Sequence, residues 1–243
     1  MSYVLIIGAK SDIAKAIART YAKNGYDLYL AARNSNELQG LARDIKIRTQ
    51  RDVRLLELDI LDYTSHQPFY EKLKEKPFIA VCAVGYLGNQ KRAQEDFEET
   101  KRIIDTNYTG IVSMLNVIAN DFEKRKRGII IGISSVAGDR GRKSNYIYGS
   151  AKAALSTYLS GLRNRLFKAN CHVLTVKPGF VSTKMTKDMD LPPKLTCPPN
   201  KVAEDIFKAQ QKYQDVLYTK WIWRYIMTVI RLIPERIFKR LNL

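Results

Sequence analysis

Tyr148 and Lys152 stand four residues apart in YIYGSAK, residues 146–152. On a helix that spacing puts both side chains on one face, one turn apart. A tyrosine, with a pKa of about 10, is a poor acid or base at neutral pH, and a neighbouring ammonium favours the phenolate and lowers that value. Such a pair can hand a proton to a carbonyl oxygen while hydride arrives at its carbon. The spacing alone is common and would also describe two surface residues of a helix. Its neighbours give it weight. IIIGISSVAG ends an apolar run with Ser135, thirteen residues before Tyr148, a hydroxyl able to bond the same carbonyl; TNYTG offers Asn107 at the start of a helix. Ser134 is the alternative for the serine's part, unless it merely packs in the strand. Tyr146 has no lysine four residues on and reads as a wall of a pocket.

Elements able to position these groups follow from the periodicity. Short apolar runs, YVLIIG, YDLYLAA, VRLLELD, FIAVCAVG, GIIIGISS and HVLTVKPG, alternate with segments of helical period. Those segments cover 12–24, 35–50, 65–74, a long stretch to about 126, 146–168 and 200–213. Strands alternating with helices imply right-handed crossovers and a parallel sheet covered on both faces. The expected fold is therefore a doubly wound α/β domain of Rossmann type over 1–219, followed by a helical tail over 220–243. Ligands of such folds lie beyond the carboxyl ends of the strands, which directs attention to Gly8, Arg33, Asp59, Gly85, Ser135, Pro178 and Gly179. The stretch 184–200 carries four of the eight prolines and follows a strand end, as a lid would.

GAKSDIA, residues 8–14, joins the first apolar run to the first helix, where backbone amides can hold a phosphate. With LDI, TNYTG, IIIGISSVAG, YIYGSAK and KPGFVST, it resembles the short-chain dehydrogenase/reductase family in order and approximate spacing, from residue 3 to about 183. The resemblance implies Tyr148 as general acid/base and Lys152 as its tuner and as ligand of the nicotinamide ribose. It also implies Ser135 as holder of the carbonyl, Asn107 as support of a water-linked proton relay, and assembly into a homodimer or homotetramer through the helices near 100–125 and 146–168. Cofactor contacts are expected from Gly8, Lys10, Ser11, Asp12, Ile13, Arg33, Asp59, Ile60, Ala83, Gly85, Lys152, Pro178, Gly179, Val181 and Thr183, with Asp59 and Ile60 meeting the adenine.

The sequence departs from the family at two places. The usual Gly-x-x-x-Gly-x-Gly keeps Gly8 but has Asp12 and Ala14 for the later glycines. Ala14 is small enough for close helix–strand packing, and Asp12 can cap the helix, turned toward backbone donors and away from phosphate. CAVG, 82–85, stands for the usual Asn-Asn-Ala-Gly, which leaves Cys82 as a small buried hydrophobe. After the second strand, Ala32 and Arg33 stand where a carboxylate would select NAD(H), so NADP(H) is the expected cofactor.

Composition sets the remaining bounds. Three scattered cysteines and two histidines (His172 reads as structural) argue against a disulfide framework or a metal site and for a reducing compartment, the cytoplasm. No secretion signal is read at the start, and no apolar run is long enough to span a bilayer. A net charge of +17 suits an anionic partner, but no recognition motif points to nucleic acid. In the tail, Lys220, Arg224, Thr228 and Arg231 recur at helical spacing among Trp221, Ile222, Ile226, Val229, Ile230 and Ile233, with a break at Pro234. This pattern suits a helix lying in an anionic membrane interface, or packing on the domain or another subunit. GAKSDIA, AVGYLGNQ and the tail together resemble a bacterial subgroup of the family that reduces a 2-keto sugar on a polyprenyl phosphate. That resemblance implies a lipid-linked ketone as substrate, with Met185, Met189 and Leu191 near the lipid. A soluble or lipid ketone, or a non-catalytic dinucleotide-binding scaffold, is the competing expectation.

Overall fold

Tyr3, Leu5 and Ile7 pack into one hydrophobic core and Val4 and Ile6 into a second, and all five are buried. This alternation on a strand covered from both sides runs through the whole sheet. The computed structural model describes residues 2–241, so the last two positions of the tail lie outside the described residues. In chain order the elements begin with β1 (Tyr3–Ile7), α1 (Asp12–Lys23), β2 (Asp27–Ala32), α2 (Gln39–Thr49), β3 (Val53–Glu57), α3 (His66–Glu71) and β4 (Ile79–Cys82). Then come α4 (Gln90–Glu95), α5 (Phe97–Ile104), α6 (Gly110–Arg125), β5 (Gly128–Ile133), α7 (Tyr146–Leu166) and β6 (Cys171–Pro178). The chain closes with β7 (Phe180–Val181), β8 (Thr196–Cys197), α8 (Pro199–Gln211), β9 (Val216–Thr219), α9 (Ile222–Leu232) and α10 (Glu235–Phe238).

Seven strands pair in parallel in the order β3-β2-β1-β4-β5-β6-β9. This is the expected single doubly wound domain. Its strand order reverses between β1 and β4, where a crevice opens beyond the strand ends. One core lies under α1, α2 and α8, the other under α3, α6 and α7.

Three features differ from the sequence reading. The long helix expected to reach about 126 comes as α4, α5 and α6. Asp96 is extended and caps α5 by accepting from the Glu98 amide at 3.0 Å, which separates α4 from α5. A wide π-turn, Asp105–Thr109, joins α5 to α6, so Asn107 sits inside a helical run rather than at a helix start. The seventh strand, β9, was not anticipated: four residues on a sheet edge carry too little periodicity to be read. The stretch 184–200 is also more ordered than a free lid, because β8 pairs with β7.

Leu159 on α7 is fully buried and occupies the space left by the missing side chain of Gly132 in β5. Leu159→Ala opens a cavity at that helix–sheet contact and is expected to lower unfolding free energy by about 3 kcal/mol, read as a lower urea midpoint with an unchanged slope.

Candidate active site

The segment after β5 lies directly on α7. A Cβ on Gly138 would stand 2.7 Å from the Ala153 amide nitrogen, and one on Gly149 would stand 2.8 Å from the Ala137 carbonyl oxygen. Only the absence of both side chains lets these backbones touch. The contact brings Ser135 beside Tyr148 on the wall of one cleft, near enough for the serine to lower the phenol's pKa. Ser135 also accepts from the Ala137 amide at 3.1 Å, which fixes its rotamer. Ser134 has another task. Its hydroxyl donates to the Lys152 carbonyl at 2.9 Å and meets Ser156 Oγ at 2.7 Å, anchoring the turn of α7 that carries Lys152.

Lys152 is 2% exposed, and its ammonium donates to the carbonyls of Ile133 at 3.2 Å and Val84 at 3.4 Å, at the ends of β5 and β4. Burial drives its pKa down to about 8 and pushes Tyr148 up to about 12, with the Ser135 hydrogen bond opposing the latter. This corrects the expectation that the lysine would draw the phenol downward. The ammonium lies 5.7 Å from the centre of the phenol ring, and the cost of taking a phenolate out of water is the larger effect. At neutral pH the phenol therefore keeps its proton, as a donor must.

Asn107 is completely buried and spends three hydrogen bonds on backbone. Its amide donates to Tyr86 O at 2.6 Å and Ile103 O at 2.8 Å, and its Oδ1 accepts from Tyr86 N at 3.1 Å. It braces the loop after β4 rather than lining the cleft, with one Oδ1 lone pair left over. A Cβ on Gly85 would stand 3.6 Å from that oxygen, 3.8 Å from Lys152 Nζ and 3.8 Å from the Met185 methyl. Buried Glu99 supports the same loop, accepting from the Tyr86 hydroxyl at 2.9 Å and the Asn89 amide at 3.0 Å.

The cleft measures about 510 Å³ and runs from the start of α1 to the Pro-rich stretch. Ser135, Tyr148 and Lys152 line it, and so do Gly8, Lys10, Ser11, Asp12, Ile13, Arg33, Ile60, Ala83, Gly85, Pro178, Gly179, Val181 and Thr183. Gly8 has φ +78°, and its Cα approaches the β4 end so closely that a Cβ would stand 2.9 Å from Val84 N; no other residue fits that turn. Ser11, not Asp12, caps α1, accepting from the Ala14 amide at 3.1 Å. Asp12 does face a backbone donor, but a remote one: its carboxylate accepts from Lys184 N at 2.8 Å and ties the phosphate-binding turn to the Pro-rich stretch. These features fit a dinucleotide, with the free amides at the start of α1 open to a pyrophosphate.

Several expected residues lie elsewhere. Asp59 is not among the cleft-lining side chains; it accepts from Leu61 N at 3.0 Å and stands 3.9 Å from Arg33. Exposed Tyr146 and half-buried Leu191 do not line the cleft, whereas Met185 and Met189 do. His172 packs on Tyr213 and meets the Gln214 carbonyl at 3.1 Å, a structural position. Cys82 is buried, and burial holds its thiol up at about 11.

Arg142 and Asn145 were not singled out by the sequence reading. Both line the cleft, and Arg142 Nε and Asn145 Oδ1 are buried with no partner among the described residues. Asn145 is the residue that precedes α7, three before Tyr148, and its nearness in sequence to Tyr148 was the only available signal.

The fold and the Ser135–Tyr148–Lys152 cluster define a dinucleotide-binding oxidoreductase. The sequence matches the short chain dehydrogenase family over residues 2–193, and the chain belongs to that family. It is 35% identical to an uncharacterised oxidoreductase of Mycobacterium tuberculosis, over 98% of this chain and 96% of that one. Among solved structures it resembles a short-chain dehydrogenase from Sphingobium yanoikuyae in complex with NADPH, with a TM-score of 0.84, 22% identity, and 94% and 93% of the two chains covered. A short chain dehydrogenase from Burkholderia cenocepacia in complex with NADP gives a TM-score of 0.85 at 18% identity, covering 100% and 98%.

Tyr148→Phe removes the phenol hydroxyl, the proton donor that the resemblance implies, and leaves the cleft's shape. Ketone reduction is expected to fall by about 10²- to 10⁴-fold while NADPH affinity, measured by fluorescence titration, stays within about twofold. In the native enzyme, reductive kcat/KM is expected to decline as pH rises through about 8, where Lys152 loses its proton. A pH profile that stays level through that value would show that the ammonium is not required.

Proposed function

We propose that this protein is an NADP(H)-dependent carbonyl reductase whose substrate is a ketone with polar or anionic substituents. The observation that carries the reading is the convergence of Ser135, Tyr148 and Lys152 in one cleft that also includes the start of α1. A reduced nicotinamide held in this cleft would be the hydride source for a carbonyl carbon. Ser135 holds the carbonyl oxygen, and Tyr148 gives that oxygen a proton as hydride addition at carbon breaks the C=O π bond and moves its electron pair onto oxygen. Lys152 holds the ribose hydroxyls and keeps positive charge behind the phenol.

Arg33 supports the choice of NADP(H). Its guanidinium lines the cleft at the end of β2, and its pairing with Asp59 is long and exposed, so little is lost when the arginine turns to a 2′-phosphate. Arg142 and Asn145 put polar side chains on the wall of the cleft, and these support a substrate rich in oxygen. A keto-sugar carried on a polyprenyl phosphate has both the hydroxyls and the phosphate for these groups, and the motifs GAKSDIA and AVGYLGNQ make it the first substrate to try.

Initial rates with NADPH and NADH over a panel of soluble and lipid-linked keto-sugars, 2-keto acids and their esters test this reading. NADPH should lead in kcat/KM by at least about tenfold, and Arg33→Ala should erase that lead through NADPH alone. Arg142→Leu should raise KM for the polar ketone by about tenfold with little change in kcat. Preference for NADH would overturn the choice of cofactor, and no turnover of any carbonyl compound with either nucleotide would leave a dinucleotide-binding scaffold as the better description.

A further inference from the structure

The tail is apolar on two opposite faces, and only one of them is covered. Trp223 and Met227 of α9 are buried, and Ile226 and Ile230 are half-buried, against Val136, Phe180, Leu195 and Tyr218. On the other side, Trp221 just before the helix, then Tyr225, Val229 and Leu232, follow at steps of four, four and three, a single stripe. Their exposures are 72%, 64%, 63% and 76%. One exposed apolar residue needs no explanation, but a continuous aromatic and aliphatic stripe on a helix does.

We propose that this stripe docks the enzyme on an anionic lipid surface, with α9 lying in the plane of the headgroups. Charge selects the occupant. Arg224 and Arg231 lie on α9 itself, Arg236, Lys239 and Arg240 follow it in the chain, and Glu235, the one acidic residue of the segment, is held by Arg140 at 2.6 Å. Trp and Tyr beside Lys and Arg suit the boundary between headgroups and acyl chains. A symmetric contact with a second copy would set these cations against their own equivalents, in a chain that already carries +17. No helix among the described residues is long and apolar enough to cross a membrane, so the helix lies on the surface.

Docking there also fixes where the cleft sits. The indole of Trp223 donates to the Leu195 carbonyl at 3.1 Å and fills the space beside Gly179, while Lys220 donates to the carbonyls of Lys194 and Thr196. The inner face of the docking helix is thus the brace of the Pro-rich stretch, which lies within about one helix diameter, ~10 Å, of the lipid. A lipid-borne ketone held at that surface would meet the cleft without leaving the bilayer.

Flotation of the full chain with phosphatidylcholine vesicles, with and without phosphatidylglycerol, tests the proposal. Binding is expected only with phosphatidylglycerol, weaker in high salt, with a blue shift in the emission of Trp221. The double variant Trp221→Ser, Tyr225→Ser changes only exposed side chains, so NADPH affinity should persist while vesicle affinity drops by at least about tenfold. Absence of native binding to anionic vesicles, or equal binding by the double variant, overturns the proposal. So does self-association of the native chain, seen by sedimentation equilibrium and lost in the variant, because a second copy would then cover the stripe.

Discussion

The buried ammonium of Lys152 is the constraint on which the site depends. It leaves water for a place where only two strand-end carbonyls, from Val84 and Ile133, receive its protons. An isolated charge in such a place is costly, and a lysine there is held only when the surroundings fix it from several sides. They do so here: Ser134 and Ser156 both bond the Lys152 carbonyl, and Gly138 lets the β5 connection rest on the same turn. On the proposed function, a dinucleotide ribose in the cleft would offer the ammonium further hydroxyl acceptors and so relieve part of that cost.

The same burial gives acid chemistry its direction. Removal from water disfavours whichever form is charged, so it lowers the lysine and raises the tyrosine together. The two shifts leave a neutral phenol beside a weakened ammonium, the state from which a proton is given rather than taken. Positive charge on Lys152 then matters most as the phenol begins to ionise, when attraction between the two is greatest.

Loss of the second glycine of the phosphate-binding turn has a structural counterpart. Asp12 reaches the amide of Lys184, a contact between residues far apart in sequence, and Trp223 holds the other end of the Pro-rich stretch at Leu195. The stretch that covers the cleft is therefore fastened at both ends, once to the cofactor turn and once to α9. The Asp12 carboxylate points to a donor of its own, which is compatible with the pyrophosphate that the proposed function would place at that turn.

The sequence by itself determined the doubly wound sheet, because alternating apolar runs and helical periods can bury their faces in few other ways. It also determined the Tyr148–Lys152 pair, since a four-residue helical spacing is local, and the turn at Gly8, since the chain direction changes there between strand and helix. Tertiary structure decided what depends on neighbours distant in the chain. The sign of the Tyr148 shift came from burial, which no spacing reveals. Asp59 became a partner of Arg33, Asp12 a tether to Lys184, and Asn107 a brace for the loop at Tyr86. Arg142 gained its meaning from its place on the wall of the cleft. In the tail, helical spacing showed that α9 is amphipathic, but only its packing on Phe180 and Leu195 decided which apolar face is spent and which is free, because two opposed stripes look alike until one is covered.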